Sequence, residues 1–133
     1  MTEEVQIDGA MAWVRVKPYI EDALEYCQGT HTIEDIEKGI SDGKYTLWVG
    51  HKSAAITEIH VFPRARFFHL FLGGGDLEEI KGMVPIWQAF AAHNGCSRVT
   101  LCGRRGWERA FRDLGWKADM VCLSAPATPE TLQ

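Results

Sequence analysis

RVTLCGRRGWERAFRDLGW, residues 98–116, reads as a strand, a tight glycine-bearing turn, a short amphipathic helix and an aromatic stop. Immediately before it, RARFFHLFLGGGDLEEIKGMVPIWQAFAAHNGC (64–96) gives a strand, a triple-glycine loop and a long helix. Within that helix Leu77, Ile80, Val84, Trp87 and Ala91 fall on one stripe at helical spacing, and Asn94-Gly95 is a strong stop. Pro85 in its middle predicts a kink. Joined, the two stretches form a strand–loop–helix–strand–helix–strand unit, whose last strand is KADMVCLSA (117–125). In it a loop of bare backbone precedes a helix N-terminus, a place where a phosphate finds unpaired N–H donors.

Working back toward the N-terminus, three strands follow one another closely: YTLWVGH (45–51), AAITEIHVF (54–62) and RFFHLFLG (66–73). They are rich in β-branched and aromatic residues and are separated by short turns, which predicts an antiparallel meander. The third is nearly all apolar, as a strand covered on both faces should be. Upstream, Thr32 and Asp35 make a capping box for a short helix, TIEDIEKGIS, with Ile33, Ile36 and Ile40 inward. Residues 4–8 (EVQID) read as a first strand, and Asp8 as the cap of a helix to about residue 28, with a break or kink near Lys17 from Pro18. The composition of SAPATPETLQ predicts a single domain over 1–124 and a flexible tail over 125–133.

The chain has 133 residues, 46% hydrophobic and 24% charged, enough for one ordinary core. Its net charge of −4 offers no basic stripe, which argues against nucleic acid as a partner. No apolar run is long enough for a membrane span. The acidic start, MTEEVQIDGAM, lacks an apolar signal core, so a cytoplasmic location is expected. Cys27, Cys96, Cys102 and Cys122 form no C-x-x-C pair and are expected to be buried, reduced thiols.

This α/β order, a mixed sheet with an antiparallel meander followed by strand–helix–strand–helix–strand, resembles the Gcn5-related N-acetyltransferase (GNAT) fold over roughly residues 30–124. FRDLGW (111–116) falls where that family has Tyr-x-x-Leu-Gly-Phe. LWV followed by AAITEI, the FLGGGD run, and GC-x-x-V-x-x-x-GR-x-GW look similar to small GNAT-like proteins of tailed phages and prophages. The resemblance implies acyl transfer from acetyl-CoA to an unknown amine. It also implies a pyrophosphate held by backbone N–H groups of Leu72, Gly73, Gly74 and Gly75, with Arg104 where the family has an Asn. Asp76 departs from the pattern, since a carboxylate at the N-cap competes for the same donors. Phe111 departs too, standing where many members keep a proton-donating Tyr.

For the base, Glu58 is the strand carboxylate that the resemblance favours. A turn centred between Arg64 and Ala65 sets His60 opposite His69 and Glu58 opposite Phe71, so that alternation brings Glu58, His60 and His69 to one face. Such a group can act as a base of raised pKa, bind a metal, or simply rim a half-exposed face. Arg104-Arg105 within GRRGW suits a phosphate, a carboxylate or a partner surface. Five tryptophans are a surplus for one small core, which suggests a homo-oligomer or a docking surface. The expected function is therefore that of an acetyl-CoA-dependent N-acyltransferase with a degenerate site. The alternatives are a non-enzymatic virion or assembly component bound to phage structural proteins, and a sensor that keeps CoA without transfer.

Overall fold

The computed structural model describes residues 9–129. The first strand expected at 4–8 and the Asp8 cap lie outside them. Two compact units divide the chain after Gly103. The first unit holds a long helix α1 (Gly9–Leu24), a short helix α2 (Ile33–Ser41), strands β1 (Thr46–Val49), β2 (Ser53–Val61) and β3 (Arg66–Gly75), helix α3 (Leu77–His93) and strand β4 (Arg98–Leu101). The second holds α4 (Arg105–Phe111), a 3-10 turn (Arg112–Leu114) and a segment without regular secondary structure.

The sheet order is β1-β2-β3-β4. The meander is antiparallel, and α3 carries the chain over to β4, which runs parallel to β3. Alternation on β2 divides the core between two faces. Ala54 and Ile56 turn toward α1 and α2, where Val16, Ile20, Ile36, Tyr45 and Leu72 complete a buried cluster. Ala55 and Thr57 turn the other way, where Trp48 donates its indole N–H to the Thr57 hydroxyl at 2.8 Å. There the Trp48 and Phe68 rings meet Trp87 and Phe90 of α3.

The expected capping box forms: Thr32 Oγ1 accepts from Asp35 N, and the Asp35 carboxylate accepts from Thr32 N at 2.8 Å. Pro18, by contrast, does not break α1, which runs through it unbroken. The carbonyl that proline leaves without a donor belongs to Val14, four residues back and 70% exposed, so water can take the place of the lost bond. The strand expected over 117–125 is absent; that stretch joins no ladder and is exposed throughout. Its only β-branched residue is Val121, and Lys117, Ala118 and Asp119 are poor strand formers, so composition alone does not hold it extended. The cysteines are not buried either: Cys27 and Cys96 are intermediate, Cys102 and Cys122 exposed, and all four are free thiols. Among the described residues no helix is long and apolar enough to cross a membrane.

Candidate active site

The β2–β3 turn decides how the polar strand residues meet. Phe62 N–H donates to the Ala65 carbonyl at 2.8 Å, so the turn is centred between Pro63 and Arg64, one position earlier than expected. The register follows: Glu58 lies opposite His69, and His60 opposite Phe67, which corrects the expected pairs. A two-residue slip preserves side-chain facing, so Glu58, His60 and His69 still share one face. His60 Nε2 is 3.3 Å from a Glu58 carboxylate oxygen, and the His60 and His69 rings stack with centroids 4.6 Å apart. His69 Nδ1 is 2.8 Å from the Thr100 hydroxyl, its partner on β4.

The three side chains are graded in depth. His69 is buried, the Glu58 side chain is 18% exposed and that of His60 is 37% exposed. Burial pushes the His69 pKa below its usual 6.5, and the neighbouring His60 pushes the same way; Glu58 partly opposes both. His69 is thus a neutral imidazole at neutral pH. It can take a proton, and Glu58 stands close enough to stabilise the charge on the histidine pair. No metal-ligating group of three or more His, Cys, Asp or Glu occurs among the described residues.

The glycine run is not the loop expected from sequence. Gly73, Gly74 and Gly75 belong to β3, opposite Ala55, Ala54 and Ser53. A bulge at Phe71, which has no partner between Leu70 and Leu72, brings Leu72 onto the α1 side and into the core. Gly74 is glycine because α1 crosses it: a Cβ there would press into the Tyr19 carbonyl. Gly75 has φ +94° and lies against the Lys52 carbonyl, so it too has no room for a side chain. Asp76 N–H donates to Lys52 O at 2.8 Å, which fixes the phase of the ladder. By alternation Gly74 turns its N–H toward β2, while Gly73 and Gly75 turn theirs away. Pairing with β4 stops at Leu70, so these outward groups lie on an edge without a strand partner among the described residues.

The start of α3 is acidic and already occupied. Asp76 caps it, accepting from Glu79 N at 3.1 Å, and Glu78 and Glu79 fill the first turn. The Glu79 carboxylate accepts from the Ser53 hydroxyl at 2.5 Å and from Lys52 N at 2.9 Å, which together hold its pKa below the usual carboxylate value. The diphosphate of a CoA donor does not fit these residues.

In the second unit Arg104 occupies the N-cap of α4 without a side-chain cap bond. Phe111 is buried, with the rings of Trp107 and Trp116 set edge-on against it at 5.5 and 5.0 Å. Of the five tryptophans Trp87 is buried, and Trp13, Trp48, Trp107 and Trp116 are half-buried. Sequence reasoning missed Thr100, Phe62 and Phe67. Thr100 reaches His69 only through the parallel β3–β4 register, which no local pattern encodes.

No family model matches the chain and no curated protein is similar to it. Solved structures are similar in fold. A Trypanosoma brucei acetyltransferase aligns with TM-score 0.55 and 14% identity, over 71% of this chain and 78% of that one. A Thermus thermophilus protein aligns with TM-score 0.53 and 16% identity, over 74% and 83%. Glucosamine-6-phosphate N-acetyltransferase from Arabidopsis thaliana aligns with TM-score 0.51 and 12% identity, over 74% and 80%. With its meander, its α3 crossover and the parallel β4, the chain has the mixed α/β fold of the Gcn5-related N-acetyltransferases.

Proposed function

We propose that the protein transfers an acyl group from a thioester to an amine, with Glu58, His60 and His69 taking the amine proton. The observation that carries this reading is the Glu58–His60–His69–Thr100 chain of contacts at the end of the sheet. An ammonium group that approaches Glu58 gives a proton to the neutral His69, directly or through His60. The freed amine attacks the thioester carbonyl, a C–N bond forms, the C–S bond breaks, and the nitrogen gives up its second proton, directly or through water, to the departing thiolate. The imidazolium returns the first proton to water. Gly73 and Gly75 offer outward N–H groups to the amides of the donor's arm.

The test is thiol release from acetyl-CoA and from S-acetyl-N-acetylcysteamine, over a panel of primary amines. Turnover should fall about 100-fold or more in Glu58→Gln and in His69→Phe. Unchanged turnover in both variants would remove the assignment. The acidic start of α3 favours a second reading, a GNAT-fold interaction module of a phage particle that never binds CoA. Absence of thiol release with every amine and both donors, together with recovery of the chain in purified particles, supports that reading instead.

A further inference from the structure

Thr100 neither takes nor gives a proton in the transfer, yet its hydroxyl oxygen lies 2.8 Å from His69 Nδ1. The sheet fixes this contact. β4 runs parallel to β3 with Thr100 opposite His69, and Ser97 N–H donates to the Arg66 carbonyl at 2.9 Å where that pairing begins. A slip of one residue would set Val99 or Leu101 opposite His69, and neither side chain has a hydrogen-bonding atom.

The two ring nitrogens of His69 have different surroundings. Nδ1 faces Thr100, whereas Nε2 has no hydrogen-bond partner among the described residues. Trp87 Nε1 is the one buried side-chain nitrogen or oxygen there without a partner, so His69 Nε2 reaches solvent. His60 occupies neither nitrogen. It stacks on the ring face at 24°, and a ring nitrogen donates or accepts in the ring plane. A neutral imidazole has one N–H and one lone pair, and a hydroxyl can meet Nδ1 in either sense. If Thr100 donates, Nε2 carries the hydrogen, and the nitrogen that faces outward cannot take a proton. If Thr100 accepts, Nδ1 carries the hydrogen and the lone pair on Nε2 faces outward. The same bond then serves the imidazolium, whose Nδ1 is also a donor. It becomes charge-assisted and nothing has to turn around.

From this we infer that Thr100 is a positioning residue: its oxygen accepts the Nδ1 hydrogen, holds neutral His69 in the Nδ1–H tautomer and makes Nε2 its basic atom. The choice of sense rests on the acyl-transfer reading, but the test does not need turnover. Nitrogen-15 spectra of protein labelled at the histidine rings, recorded well above the pKa of His69, report which nitrogen carries the hydrogen. The parent chain should show Nδ1–H as its main form. Thr100→Val, which keeps the shape and removes the hydroxyl, should move the ratio about 5-fold or more toward Nε2–H. Thr100→Ser should restore it; urea unfolding checks that both variants fold. In thiol release Thr100→Val should lower kcat about 10-fold or more and leave KM for the amine within about 2-fold, because Thr100 does not touch the substrate. A main Nε2–H form in the parent chain, or a ratio unchanged in Thr100→Val, overturns the inference. So does a serine variant as slow as the valine one. The Nδ1–H form without thiol release from any amine would sustain the inference and remove the transfer reading. An Nε2–H form with turnover that His69→Phe abolishes would do the reverse.

Discussion

Gly74→Ala separates the two meanings a glycine run can have, close packing or a ligand loop. In the structure a methyl group at residue 74 would stand 3.0 Å from the carbonyl carbon of Tyr19 and nearer still to its oxygen. Both are backbone atoms, so no rotamer change relieves the clash. To restore ordinary contact, α1 must retreat by about 1 Å. The retreat draws Val16 and Ile20, both fully buried, away from Ile56 and Leu72. Overpacking with this little give should cost about 3 kcal/mol, the upper end of the usual range. For a chain of this size that lowers Tm by about 10 °C or more. Gly82→Ala is the internal control. It lies inside α3 with nothing within 4 Å of the added methyl, so the same substitution should stabilise by about 0.5–1 kcal/mol. Thermal and urea unfolding of the two variants, followed by circular dichroism, gives both signs in one experiment. If Gly74→Ala stays within about 1 kcal/mol of the parent chain, the close approach of α1 is not what requires the glycine.

Asp76→Ala should cost about 1 kcal/mol through loss of the cap to Glu79 N, whereas Asp76→Ser, which keeps a capping oxygen, should cost little. The serine variant also removes a carboxylate from the start of α3, so calorimetry should find tighter binding of inorganic pyrophosphate; unchanged affinity would mean that Asp76 does not exclude the anion. His69 sets a pH dependence. Its folded pKa lies below 6.5, so in the window below pH 6.5 the unfolded chain binds the proton first. The stability contribution is complete above that window and is lost as pH falls through it toward the folded pKa. Urea midpoints measured against pH should show this loss, and His69→Phe should flatten it; a loss that persists in the variant belongs to another group.

How far sequence reached differs from residue to residue. The meander, the α3 stripe apart from the exposed Leu77, and the Thr32–Asp35 box were legible because each rests on local periodicity or on a contact three residues apart. The shared face of Glu58, His60 and His69 was legible even from a wrong turn centre, because a slip of two residues leaves facing unchanged. The exact pairs were not legible, since one hydrogen bond, Phe62 N to Ala65 O, decides them. The glycine run was misread as a loop for a related reason. Its glycines answer to Tyr19 and Lys52, contacts more than twenty residues away in sequence that no local pattern reveals. Pro18 misled in the opposite direction, because the solvent exposure of Val14 makes the missing hydrogen bond tolerable.

The same geometry bears on which part of a donor the protein can grip. A helix N-terminus attracts an anion by roughly 0.3–1 kcal/mol when exposed. Each carboxylate about 4 Å from an anionic charge repels it by about 1 kcal/mol even in water. With Asp76 as the cap and Glu78 in the first turn, repulsion at the start of α3 at least cancels the attraction, before any donor N–H is counted. The outward amides of Gly73 and Gly75 carry no such penalty, and on the proposed reading they would pair with the amides of a pantetheine-like arm whether or not a nucleotide follows. Recognition of a thioester donor would then rest on its arm. Under this balance acetyl-CoA gains no advantage in kcat/KM over a nucleotide-free acetyl thioester with the same amides. A large advantage for acetyl-CoA would place its diphosphate on groups other than the start of α3.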